Sequence, residues 1–112
     1  MDKIIKYQQV ILGLLEEYAA IPPSYSTALR DEVVADTIRN HFQLISLGWE
    51  NNCFIYEVVF HLDIIDGKIW IQQNNTEADL AAELVERGIP KSDLVIGFQP
   101  ADIRAISGYA IS

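Results

Sequence analysis

From Phe54 to Ile64 every even-numbered residue is apolar: Phe54, Tyr56, Val58, Phe60, Leu62 and Ile64. The odd positions between them carry Glu57, His61 and Asp63 among smaller apolar residues. A period of two over so long a run predicts a strand over residues 53–65 with one buried and one mixed face. Asp66-Gly67 follows at once, and that pair favours a type I′ hairpin turn, where both central residues need positive φ. A two-residue loop fixes the register: Ile65 faces Lys68, Ile64 faces Ile69, Asp63 faces Trp70, Leu62 faces Ile71, and His61 faces Gln72. The second face of the hairpin then holds His61, Asp63, Lys68, Trp70 and Gln72, a candidate interaction surface. An indole left in water there forgoes burial worth about 2–3 kcal/mol. Cover is expected from the N-terminal helix, a second copy of the chain or another protein, with a homodimer preferred.

The flanking sequence supplies helices and further strands. In residues 2–19, Ile4, Tyr7, Ile11, Leu14 and Tyr18 form one helical stripe with Val10 beside it. Asp2 suits the helix start, and "PPSYS" at Pro22 and Pro23 predicts a linker turn. "EVVADTI" and "FQLISLGW" read as two strands parted by Arg39, Asn40 and His41, and Glu50, Asn51 and Asn52 as the next turn. Thr76 is the expected cap of a central helix, with Asp79 completing a capping box. Ala81, Leu84 and Val85 are its expected buried stripe, with Glu77, Glu83 and Glu86 pointing elsewhere. Gly88 and Pro90 end it. "DLVIGF" reads as a short buried strand, Pro100 opens a helical turn through Arg104, and "GYAIS" reads as an edge strand. The expected fold is α+β, a single domain over residues 1–112, with the N-terminal and central helices packed on a mostly antiparallel sheet.

Composition narrows the function. Sixteen acidic residues against eight basic ones give a net charge of −8. Nucleic-acid binders gain affinity by neutralising phosphates and present a basic face. Here the cations are scattered, so direct DNA binding is disfavoured and a protein partner or plain solvation is favoured. No apolar run is long enough to span a membrane, and the N-terminus has no signal-peptide pattern. The expected location is the cytoplasm. Cys53 has no partner thiol in the chain and is expected to be buried and inert.

Two further readings concern chemistry. His61 and Asp63 share a strand face, so an acid–base pair or two metal ligands are geometrically open, with Glu57 or His41 as a third ligand. HExxH, CxxC, GxSxG, P-loop and GxGxxG patterns are absent. A hydrogen-bonded structural cluster is therefore the preferred reading of His61 and Asp63, and no catalytic residue, metal or cofactor is assigned. The glutamates of residues 77–86 read as a solvated face.

In order and spacing, "HFQLISLGW", "HLDI", "DGKIWIQ", "TE", "ELVERGIP", "SDLVIGF" and "GYAIS" resemble the XisI family, the fdxN-element excision controlling factors of cyanobacteria. The resemblance runs over nearly the whole chain. One departure is "QQNNTE", where the family more often has Asp-Gly before Thr-Glu; Asn75 can adopt the same left-handed backbone. The resemblance implies an accessory role in excising a DNA element during heterocyst differentiation, alongside a site-specific recombinase and a companion nuclease-like XisH protein. It carries over no catalytic residues. The leading expectation is thus a non-catalytic controlling factor that acts by protein contact. The alternatives are a small enzyme or metal-dependent site at His61 and Asp63, and a direct DNA-binding excision factor with Arg39, Lys68 and Arg104 on the DNA.

Overall fold

The structure, a computed structural model, describes residues 2–21 and 28–112. The turn expected at Pro22 and Pro23 lies outside them. Helix α1 (Lys3–Ala19) opens on Asp2, whose side chain accepts a hydrogen bond from the Ile4 amide at 2.9 Å. Strands β1 (Leu29–Asp36), β2 (His41–Glu50), β3 (Cys53–Ile65) and β4 (Lys68–Asn74) follow as an antiparallel meander. Helix α2 (Leu80–Glu86) crosses to β5 (Leu94–Ile96), which pairs with β4 in parallel. The five strands lie in sequence order, and a short helix α3 (Ala101–Ala105) leads to the C-terminus. The α+β fold, mostly antiparallel with helices on it, is the one expected. "GYAIS" contributes a single bridge, Ala110 to Val95, in place of a full edge strand.

The turns follow from their residues. Asn51 and Asn52 have φ of 52° and 60°, and Asp66 and Gly67 have φ of 51° and 78°, so both hairpins close with two left-handed residues, as type I′ loops require. The β1–β2 loop occupies residues 37–40, so His41 belongs to β2 and not to the turn. Gln8 of α1 pins that loop by donating to the Thr37 carbonyl at 2.9 Å and the Asn40 side chain at 2.7 Å.

One face of the sheet packs the core. Tyr7, Ile11, Leu14 and Leu15 of α1 meet Phe42, Leu44, Phe60, Leu62, Ile64, Ile69 and Ile71, with Leu80, Leu84 and Ile89 beside them. Burying each such aliphatic side chain contributes about 2 kcal/mol. The stripe on α1 is rotated slightly from the expected one: Leu15 is fully buried, while Ile4, Val10 and Tyr18 are partly buried.

Helix α2 starts three residues later than expected. Asp79, not Thr76, is its cap and accepts from the Ala82 amide at 3.1 Å. Thr76 is held in the preceding turn, where its amide and hydroxyl donate to Asn74 Oδ1 at 2.9 and 2.7 Å. Turn formation by Asn74 outcompetes helix extension there. The far end closes as a Schellman motif: Gly88 N–H reaches the Val85 carbonyl at 3.0 Å and Ile89 N–H reaches Leu84 at 3.1 Å. Ala81 and Leu84 are buried as expected, together with Leu80. Glu83 does not face water alone; it accepts the Tyr18 hydroxyl at 2.6 Å, tying α2 to α1.

The long strand β3 corrects the simple alternation. Leu44 pairs with Phe60 but Ile45 pairs with Val58, so Val59 is an extra residue in β3. A bulge of one residue exchanges the faces on either side of it. Phe60, Leu62 and Ile64 are buried, whereas Phe54 and Tyr56 are half exposed or more. They join the opposite face. Gln73 Nε2 and Asn75 Nδ2 donate to the Val58 carbonyl at 2.6 and 3.0 Å, and the Asn75 amide donates to Val59 at 2.9 Å. The "QQNN" tract therefore satisfies the carbonyls that the bulge frees. Cys53 sits at the exposed tip of this hairpin, not in the core.

Candidate functional site

On the sheet face turned away from α1, the register brings four side chains into one block. His41 of β2 lies across from Asp63 of β3, and Gln43 lies across from His61. His41 and His61 are the only histidines of the chain. His41 Nδ1 is 2.7 Å from Asp63 Oδ1, and His61 Nε2 is 2.8 Å from the same oxygen. Gln43 Nε2 lies 3.0 Å from His61 Nδ1, and Gln72 Nε2 donates to Asp63 Oδ2 at 3.3 Å. As hydrogen bonds these contacts are self-consistent: both imidazole N–H groups donate to the carboxylate, and His61 Nδ1 accepts from the Gln43 amide.

Asp63 is 8% exposed. Burial pushes its pKa up, but the hydrogen bonds and charge of His41 and His61 outweigh burial and hold the carboxyl below its ordinary value. The expected pairing of His61 with Asp63 is present, and His41 completes the group. Glu57, the other candidate third ligand, pairs with Ser46 and is carried to the opposite face by the bulge.

Asp63 does face Trp70, but a second bulge at Gln72 pairs His61 with Gln73 in place of Gln72. The bulged Gln72 still reaches Asp63. Within its own chain Trp70 has company. The Arg104 guanidinium lies 5.6 Å from the indole centroid. It is anchored there by donating to the Ile111 carbonyl at 2.7 Å and the Gln99 carbonyl at 2.8 Å. Gly97 also lies close: a Cβ there would come 3.0 Å from the indole. Lys68 leaves the cluster and donates to the Ser112 carbonyl at 2.5 Å.

Further along the same face lies a surface that the strand alternation had hidden. Trp49 pairs with Phe54, Leu47 with Tyr56, and Ile45 with Val58. Trp49, Tyr56 and Phe54 are 66%, 58% and 50% exposed, and the Trp49 and Phe54 rings touch at 5.3 Å between centroids. Counting outward from the Asn51-Asn52 loop would have found these pairs.

A family model described as XisI protein matches residues 1–111. The chain belongs to the XisI family. The structure is similar to that of a XisI-like protein from Anabaena variabilis, with 38% identity, a TM-score of 0.89, and coverage of 97% of this chain and 99% of that one. It is also similar to the fdxN element excision controlling factor XisI from Anabaena variabilis, with 26% identity, a TM-score of 0.84, and coverage of 99% and 100%. Curated proteins include no match. Among the described residues no helix is long and apolar enough to cross a membrane.

Proposed function

We propose that this XisI-family protein is a non-catalytic controlling factor for excision of a DNA element, acting by contact with a companion protein of the recombination machinery. Its relationship to a protein known as an excision controlling factor supports the process. The exposed cluster of Trp49, Phe54 and Tyr56 supports contact as the means. Aromatic side chains grouped on an open sheet face are the kind of surface that protein interfaces bury.

Charge supports a protein over DNA as the direct partner. Lys3, Arg30, Arg39 and Arg87 are each paired with a carboxylate, and Lys68 and Arg104 point into backbone carbonyls. In a chain of net charge −8, those cations do not form a phosphate-binding stripe.

The test is co-purification with the companion XisH-like protein and with the site-specific recombinase, using Trp49→Ala/Tyr56→Ala. Loss of the complex with an unchanged melting temperature is the expected result; Trp70→Ala, which acts under Arg104, should leave the complex in place. Full retention by the double variant would remove this surface from the reading. Light scattering on the isolated protein separates a companion from a second copy. A dimer abolished by Trp49→Ala/Tyr56→Ala would assign the face to self-association.

A further inference from the structure

We propose that His41 Nδ1, His61 Nε2 and Asp63 Oδ1 bind one divalent transition-metal ion of the zinc class. The three atoms lie within 4.8 Å of one another. They come from two adjacent strands of one sheet, so their Cα positions are held by the backbone ladder. Two imidazoles and one carboxylate, with positions left for water, suit zinc and its neighbours and not the oxygen-seeking magnesium or calcium.

Two features suit this group to an ion. Both imidazole nitrogens converge on the same oxygen, Oδ1, at 2.7 and 2.8 Å. Gln72 donates to the other oxygen, Oδ2, so Oδ1 is the one left turned toward both rings. Second, one of the two imidazoles has an outer partner of the kind a zinc-type site uses. The far nitrogen of His61 is held by the Gln43 side chain at 3.0 Å, and an amide can turn to present its oxygen to an imidazole N–H.

Binding is a matter of tautomers. In the ion-free cluster His41 Nδ1 and His61 Nε2 carry the protons. On binding, the proton of His41 resides on Nε2, facing water, and that of His61 on Nδ1, facing Gln43 Oε1. Ligands around a tetrahedral zinc stand about 3.3 Å apart, so the rings must draw back from Oδ1 by about half an ångström and close on each other from a separation of up to 4.8 Å. His41 has room to do so, since its side chain is 56% exposed and it begins its strand.

The experiment uses untagged protein, stripped with chelator and titrated with zinc by calorimetry and with cobalt by its visible spectrum. One ion per chain is expected, with a rise in melting temperature as binding to the folded state requires. His41→Ala, at an exposed position, should fold and weaken binding by more than about tenfold. Gln43→Ala should weaken it less while keeping one ion per chain. No uptake by the wild type, or uptake that His41→Ala and Asp63→Asn leave unchanged, would overturn the proposal. A folded state of the variants, checked by circular dichroism, makes either result decisive.

Discussion

At the scale of single residues, backbone geometry and short polar contacts set the sensitive positions. Gly48 has φ of 153°, and a Cβ there would meet the Ala28 carbonyl oxygen at 2.4 Å. The neighbour is backbone and cannot swing aside. Gly48→Ala should destabilise by about 2–4 kcal/mol, read as a fall in the urea midpoint. Tyr7 is a second such position. Its hydroxyl donates to Asp93, which Lys3 also contacts at 3.1 Å. Burial, and then Asp93, push the Tyr7 pKa up to about 12. The bond from Tyr7, and then Lys3, hold the Asp93 carboxyl below its ordinary value against the opposing effect of burial. A depressed carboxyl contributes stability above its unfolded-chain pKa and loses it as pH falls through the folded value. A raised tyrosine contributes below its unfolded value and loses it as pH climbs through about 12. Tyr7→Phe should lower stability by about 1–2 kcal/mol at neutral pH and flatten both limbs of the profile of melting temperature against pH.

At the scale of elements, the ends of α2 and the bulges of β3 and β4 carry the design. Asp79 caps α2, so Asp79→Ala should cost about 1 kcal/mol. Thr76→Ala should cost less, because Thr76 lies in the turn before the helix, where its hydroxyl meets Asn74 and the Ala78 amide. Equal losses in denaturant titrations would return the cap to Thr76. The bulge at Val59 has the larger consequence. It lets β3 bury Phe60, Leu62 and Ile64 on one side while presenting Tyr56 and Phe54 on the other. Gln73 and Asn75 hold its carbonyls. Replacing both by alanine removes the two side-chain donors to the Val58 carbonyl and leaves the Asn75 backbone bond, and hydrogen exchange should quicken first at the amides of residues 57–61.

At the scale of the molecule, the sheet has two unlike faces. The face under α1 and α2 is the core. The other is divided between the His41–His61–Asp63 block, the Trp70–Arg104 cover and the exposed aromatic end. The two tryptophans report on different parts of it. Trp49 is open to water, whereas Trp70 is half-buried beneath Arg104. Acrylamide should quench the wild type strongly and Trp49→Phe weakly. Binding of a partner at the aromatic end should protect the wild-type emission to the level of Trp49→Phe. Strong quenching of Trp49→Phe would show Trp70 to be uncovered in solution.

The amino-acid sequence by itself determined most of the elements and the two-residue turns, because those depend on neighbours along the chain. The stripe on α1, the strand over residues 53–65 and the Asp66-Gly67 hairpin each follow from periodicity or from residues that tolerate positive φ. Pairing of Asp63 with Trp70 follows too, since a two-residue loop propagates register outward until something interrupts it. Tertiary structure decided where it is interrupted. Counted from Asn51-Asn52 without a bulge, His41 would pair with Leu62 and Gln43 with Phe60; the extra residue at Val59 moves them to Asp63 and His61. That shift matches apolar to apolar across the core face, and its stabilisation comes from burial against α1, an element some 40 residues away along the chain. The same shift assembles the two histidines on one carboxylate and turns Phe54 and Tyr56 outward. The cover over Trp70 likewise depends on where the C-terminal segment returns, which no local pattern encodes.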